Sequence, residues 1–139
     1  MKTRAILTLS ALLACGYVYA QDQPASAMVF ETYEWDFGTI DEADGPVSHT
    51  FRFVNISNNP IQIDNVATSC GCTTVQYSTE PIHGGEEGEI TVVFNPARYE
   101  GSVFREVEIL TKDRHNYASL TIYADVNPIP MDMEHIYPH

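Results

Sequence analysis

Between residues 47 and 56 the chain changes character at every step. Val47, His49, Phe51 and Phe53 fall on one side, and Ser48, Thr50, Arg52 and Val54 on the other. A period of two marks an extended strand with one face buried, because successive side chains point to opposite sides of the backbone. The pattern returns downstream. Ile90, Val92 and Phe94 share a face within 89–94. Val103, Arg105, Val107 and Ile109 alternate with Phe104, Glu106, Glu108 and Leu110, and Leu120, Ile122, Ala124 and Val126 alternate after a turn over 112–117.

Three further runs are β-like by content. Residues 29–40 hold Phe30, Tyr33, Trp35 and Phe37, aromatics suited to a pleated surface, with Gly38 marking a bulge or bend. Residues 61–67 place Ile61 and Ile63 on one face, and 73–77 is β-branched and aromatic. Turn chemistry separates the runs: Gly45-Pro46, the 55–60 segment ending in Pro60, the loop 78–88 with Pro81, Gly84, Gly85 and Gly88, then Asn95-Pro96 and Glu100-Gly101. No segment carries a helical apolar stripe. About seven short strands with turns every eight to twelve residues predict an all-β antiparallel sandwich.

The ends read differently. Lys2 and Arg4, the apolar run 5–14 and Val18-Tyr19-Ala20 predict a signal peptide over 1–20, too short to span a bilayer. Leu12-Leu13-Ala14-Cys15 also has the form of a lipobox, so a lipid anchor at Cys15, as in an outer-membrane lipoprotein, is the alternative to cleavage after Ala20. The residues after Cys15 are not the polar tether that an anchor expects, which favours cleavage. The expected layout is a leader over 1–20, a linker over 21–28, the sandwich over 29–127 and an extended tail over 128–139 with Pro128, Pro130 and Pro138. The protein is expected to be exported, periplasmic or extracellular.

Loss of the leader removes two of the 7 basic residues and none of the 19 acidic ones, leaving 5 against 19 and a net charge of −14. Such a surface repels nucleic-acid backbones and anionic lipid head groups. Asp41-Glu42-Ala43-Asp44-Gly45 lacks the alternation of a calcium loop and reads as an acidic turn.

Cys70-Gly71-Cys72 is the one stretch with evident chemistry. Two thiols one residue apart can form a disulfide in an oxidising compartment. An extended backbone sets their Cα atoms near 7 Å, so the loop must bend at Gly71. A bridge closing so small a ring restrains little chain entropy, and strain would leave it easily reduced, as in a redox pair. The alternative is soft metal, copper(I) or zinc, on the two thiolates. Further donors for such a site are Met131, Met133 and His135 in the tail, or His49, His83 and His115. The tail is otherwise an unstructured end, His49 a sheet-face histidine and Trp35 a core filler. No catalytic residue, cofactor or catalytic motif is evident: there is no Gly-x-Ser-x-Gly elbow and no His-Glu-x-x-His.

The segments Trp35-Asp36-Phe37-Gly38-Thr39-Ile40, His49-Thr50-Phe51-Arg52-Phe53-Val54-Asn55 and Ser69-Cys70-Gly71-Cys72-Thr73, followed by Phe94-Asn95-Pro96 and Gly101-Ser102-Val103-Phe104, occur in an order that resembles secreted proteins of domain-of-unknown-function family 1573, common in Bacteroidota. The resemblance runs from Phe30 to Val126 and omits the tail. It implies an immunoglobulin-like sandwich related to the Hydin and major-sperm-protein domains, and no established activity. By analogy it favours a non-catalytic module that meets a protein or envelope partner through an edge or loop, rather than an enzyme.

Overall fold

The computed structural model describes residues 26–131. Eight strands run in chain order: β1 (Met28–Phe30), β2 (Glu34–Asp41), β3 (Val47–Asn55), β4 (Ile63–Thr68), β5 (Thr73–Tyr77), β6 (Glu87–Phe94), β7 (Gly101–Thr111) and β8 (Tyr117–Asn127). They form two four-stranded sheets, one ordered β1-β3-β6-β5 and the other β2-β8-β7-β4. This is the immunoglobulin-like sandwich. The only helical turn among the described residues is a 3₁₀ turn at Glu42–Asp44.

The eighth strand comes from residues 29–40, which the alternation read as one region. Between Phe30 and Glu34 the chain leaves the first sheet for the second without reversing. β2 therefore lies parallel to β8, while all other ladders are antiparallel. Gly38, at φ 70°, sits where the β2–β8 register slips between Asp36 and Thr39, so the bulge is real and uses glycine's freedom.

The inward register holds as the alternation predicts. Phe51, Phe53, Ile90, Val92 and Phe94 from the first sheet meet Val107, Ile109, Leu120 and Ile122 from the second, each at most 1% exposed. Each such side chain contributes about 1.5–3 kcal/mol by leaving water. Val47 packs against this cluster from its edge. The loop after β5 is less loop-like than its glycines suggest. Ile82 is buried and exchanges both backbone hydrogen bonds with Ile61, at 2.7 and 2.8 Å. Gly88 lies inside β6 because the Phe53 ring and the Ile82 side chain fill the space a Cβ would need.

The tail begins tied down. Glu42 accepts the Ile129 N–H at 2.9 Å and the Arg98 N–H at 2.7 Å, and these two bonds hold its carboxyl below the usual range. The leader over 1–20, Cys15, and the tail residues Met133 and His135 lie outside the described residues.

Candidate functional site

Cys70 and Cys72 sit where the chain crosses from one sheet to the other. Ser69 still belongs to the second sheet: its N–H donates to Glu106 C=O at 3.2 Å, and its Oγ accepts the Glu106 N–H at 3.3 Å. Cys72 already belongs to the first sheet, its C=O accepting from Asn95 N–H at 2.9 Å. The crossing is therefore made in the short span between them. Thr73 N–H donates to Cys70 C=O at 3.4 Å, and the Thr68 hydroxyl holds Cys70 C=O at 3.0 Å, bending the loop. The bend brings the two Cα atoms to 5.4 Å, and the sulfurs are joined as a disulfide. Gly71 does not use a left-handed conformation there, and a Cβ on it would meet nothing.

Arg105 completes this corner. Its position in β7 is inward-facing, in line with Val103 and Val107, and its Nε–H points at both sulfurs, 3.2 Å from Cys70 Sγ and 3.3 Å from Cys72 Sγ. The guanidinium lies over the Tyr99 ring, 5.0 Å from its centroid, and Nη1 donates to Phe104 C=O at 2.6 Å. The Tyr99 hydroxyl faces Cys70 Sγ at 3.8 Å, and Cys72 N–H faces the same sulfur at 3.1 Å. Sequence reasoning placed Arg105 on the inward face but gave it no role. The available signal was a cation in an otherwise apolar register.

The metal-ligand reading gathers no further donors here. Among the described residues no three His, Cys, Asp or Glu side chains converge on a point able to hold an ion. Met131 is 87% exposed. His83 lies in the turn before β6, where its N–H donates to Glu86, and His115 bonds Asp113 in the β7–β8 hairpin.

His49 is a sheet-face residue, as expected, but Trp35 does not fill the core. The two rings stack at 3.8 Å and 6° between β2 and β3, strands of opposite sheets, leaving Trp35 41% exposed, and Phe51 meets the imidazole edge-on at 4.7 Å. Partial burial holds His49 below its ordinary value of about 6.5. On acidification the unfolded chain takes up this proton first, so stability present above pH 6.5 is lost as pH falls through the folded value. His49→Phe should keep the packing and remove that contribution. Urea midpoints at pH 7.5 and 6.0 check it: the drop should be larger in the wild type than in the variant.

The outer face of the second sheet carries a different chemistry. The ladders align Asp36, Tyr123 and Phe104 in one row, and Glu34, Thr121 and Glu106 in the next. Glu108 and Ser119 follow, then Leu110 and Tyr117. The Phe104 and Tyr123 rings contact at 5.6 Å, and Phe104 and Tyr117 are each 50% exposed. Tyr117 donates to Glu108 Oε1 at 3.2 Å. Both phenols are held above their usual range, first by desolvation and then by the neighbouring carboxylates, Glu108 for Tyr117 and Glu34 for Tyr123. Among the described residues the sole ion pair is Arg52–Glu89 on the other sheet, so these acids have no cationic partner among them.

An open groove beside β5 and β6 is lined by Tyr77, Glu80, Pro81, Glu86 and Glu89. Glu86 caps the turn at His83 and Glu89 pairs with Arg52, so these two carboxylates are engaged in local structure.

The chain belongs to the family described as protein of unknown function (DUF1573), whose profile matches residues 28–126. No curated protein sequence matches it. Among solved structures it is similar to a protein of unknown function from Porphyromonas gingivalis W83, at 16% identity and a TM-score of 0.60, over 75% of this chain and 51% of that one. The Vibrio cholerae VesB protease aligns at 16% identity and 0.58, over 71% of this chain and 32% of the protease. The Pseudomonas aeruginosa CupB2 chaperone aligns at 10% identity and 0.51, over 77% of this chain and 59% of the chaperone. The chain spans less than two thirds of each, and at these identities the likeness is one of fold.

Proposed function

We propose that the protein is an exported, non-catalytic module that binds a protein partner bearing basic residues around an apolar patch, through the outer face of the β2-β8-β7-β4 sheet. The observation that carries this is the contact between the exposed Phe104 and the half-buried Tyr123, with Tyr117 on the same face, set among Glu34, Asp36, Glu106 and Glu108 with no counter-charge among the described residues. Aromatic side chains supply contact area at low entropic cost, and the surrounding carboxylates steer a basic partner and reject nucleic acid and anionic lipid. The apolar leader over 1–20 supports export, and no helix among the described residues is long and apolar enough to cross a membrane. A protein-binding role is in keeping with the chaperone among the structural neighbours.

A photo-crosslinking residue placed at Phe104 in the native host should give one reproducible protein adduct. The same probe at Thr74, on the outer face of the first sheet, should give none, and the Phe104 adduct should fade with added salt or with Glu106→Lys. Once that partner is purified, Phe104→Ala should weaken binding by about tenfold, the scale of one interface anchor. It should leave the urea midpoint nearly unchanged, because the side chain is half exposed. Equal labelling at both positions, or salt-insensitive labelling, sinks the reading.

A further inference from the structure

We propose that the Cys70–Cys72 corner is a thiol–disulfide exchange site that oxidises partner dithiols, with Arg105 as the residue that holds the leaving thiolate. The inference is independent of the binding face and starts from a charge that lacks a partner. Arg105 is a half-buried cation pointing inward in a chain of net charge −12, yet among the described residues no carboxylate lies within ion-pair distance of it. Its Nε–H is spent on two sulfurs that are neutral while bonded to each other. Reduction supplies the missing anion. A thiolate released there gains a charge-assisted hydrogen bond that the disulfide cannot offer, so the reduced form is favoured relative to a pair without the arginine.

The geometry also gives the reaction a direction. Cys70 Sγ faces three donors: Arg105 Nε–H at 3.2 Å, Cys72 N–H at 3.1 Å and the Tyr99 hydroxyl at 3.8 Å. Cys72 Sγ faces Arg105 Nε–H at 3.3 Å and the Thr73 hydroxyl at 3.7 Å. The better-stabilised thiolate leaves faster, so attack falls on Cys72. A thiolate of the partner dithiol bonds to Cys72 Sγ, the Cys70–Cys72 bond breaks, and its electron pair leaves on Cys70 Sγ. The partner's second thiol then gives up its proton, and its sulfur attacks the partner sulfur of the mixed disulfide. The partner's disulfide forms and Cys72 Sγ departs as thiolate. Two electrons pass from the partner dithiol to the cysteine pair, and the proton of its second thiol goes to Cys72 Sγ. The first thiol had lost its proton to water on forming the attacking thiolate, so Cys70 Sγ stays the thiolate that Arg105 holds. A purely structural bridge is the weaker account, since a ring closed over one intervening residue restrains little chain entropy.

The test equilibrates the full chain with reduced and oxidised glutathione at pH 7 and counts free thiols by mass after acid quenching and alkylation. The wild-type pair should be reduced by the thiol buffer. Arg105→Gln should shift the equilibrium toward the disulfide by about tenfold, the scale of one hydrogen bond to a charged group. Tyr99→Phe, which keeps the ring beneath the guanidinium, should shift it the same way by less, and it serves should Arg105→Gln not fold. Adducts trapped with glutathione should sit on Cys72. Oxidised wild type should also convert a reduced Cys-x-x-Cys peptide to its disulfide. A pair that resists excess glutathione, a folded Arg105→Gln (or, failing that, Tyr99→Phe) with an unchanged equilibrium, or adducts on Cys70 overturns the proposal.

Discussion

Asn55→Asp is expected to cost about 3–5 kcal/mol of folding free energy, the usual result of leaving a buried charge uncompensated. Asn55 is fully buried at the end of β3, and all four of its amide hydrogen-bonding positions are used. Nδ2 donates to Asn59 C=O and Ile82 C=O, both at 2.8 Å, while Oδ1 accepts from Ser57 N–H at 3.0 Å and Ser57 Oγ at 2.8 Å. Its backbone continues the clamp, accepting from Gly85 N–H at 2.7 Å and donating to Glu86 C=O at 3.0 Å. An aspartate turns one donor group into an oxygen facing two carbonyl oxygens. Burial raises such a carboxyl, so the folded state holds the proton at higher pH than the unfolded state does, and the deficit should shrink as pH falls toward 5. Asn55→Leu withdraws both amide donors from the same carbonyls without adding a charge and should cost less, with no such pH dependence. Urea unfolding of both variants at pH 7.5 and 5 decides it. Equal, pH-independent losses would mean that the amide donors do not set the stability of this end.

The contrast between Asn55 and the strands shows what a sequence can carry. Phe51, Val92, Val107 and Ile122 were readable because a pleated backbone converts alternation directly into inside and outside. Asn55 read as turn chemistry, since its partners Ile82 and Glu86 lie on a distant loop that no local pattern connects to it. The parallel β2–β8 pairing was hidden for a related reason. Direction is set by which sheet the chain joins after Phe30, and that is decided by long-range pairing rather than by local propensity. At the candidate site the two cysteines were legible from spacing. Tyr99 and Arg105 come from a turn and from the adjacent sheet, so only the closed sandwich brings them to the sulfurs. The Phe104–Tyr123 row was invisible until the β7–β8 register was fixed, because neither residue is unusual in its own strand.

Phe94→Ala tests whether the core and the sulfur corner are one mechanical unit. Phe94 is fully buried in β6, paired with Val47 on one side and Thr73 on the other, and its ring lies 5.9 Å from that of Tyr99. Truncation removes a whole aromatic ring from a packed interior, which costs about 3–5 kcal/mol in transfer and cavity terms. The loss should appear in the urea midpoint at any pH where the wild type is folded. A second effect follows from where the void opens. Tyr99 rests against Phe94, Arg105 rests over Tyr99, and Arg105 Nε–H faces the sulfurs, so the void withdraws the support at the start of that chain of contacts. Phe94→Ala should therefore shift the glutathione equilibrium toward the disulfide, by less than Arg105→Gln does, in protein that is still folded. Phe94→Leu retains most of the volume and should show a smaller change in both readouts. If the stability falls as expected while the equilibrium stays at the wild-type value, the arginine is held by its Phe104 carbonyl and its own strand, and the aromatic stack only fills space.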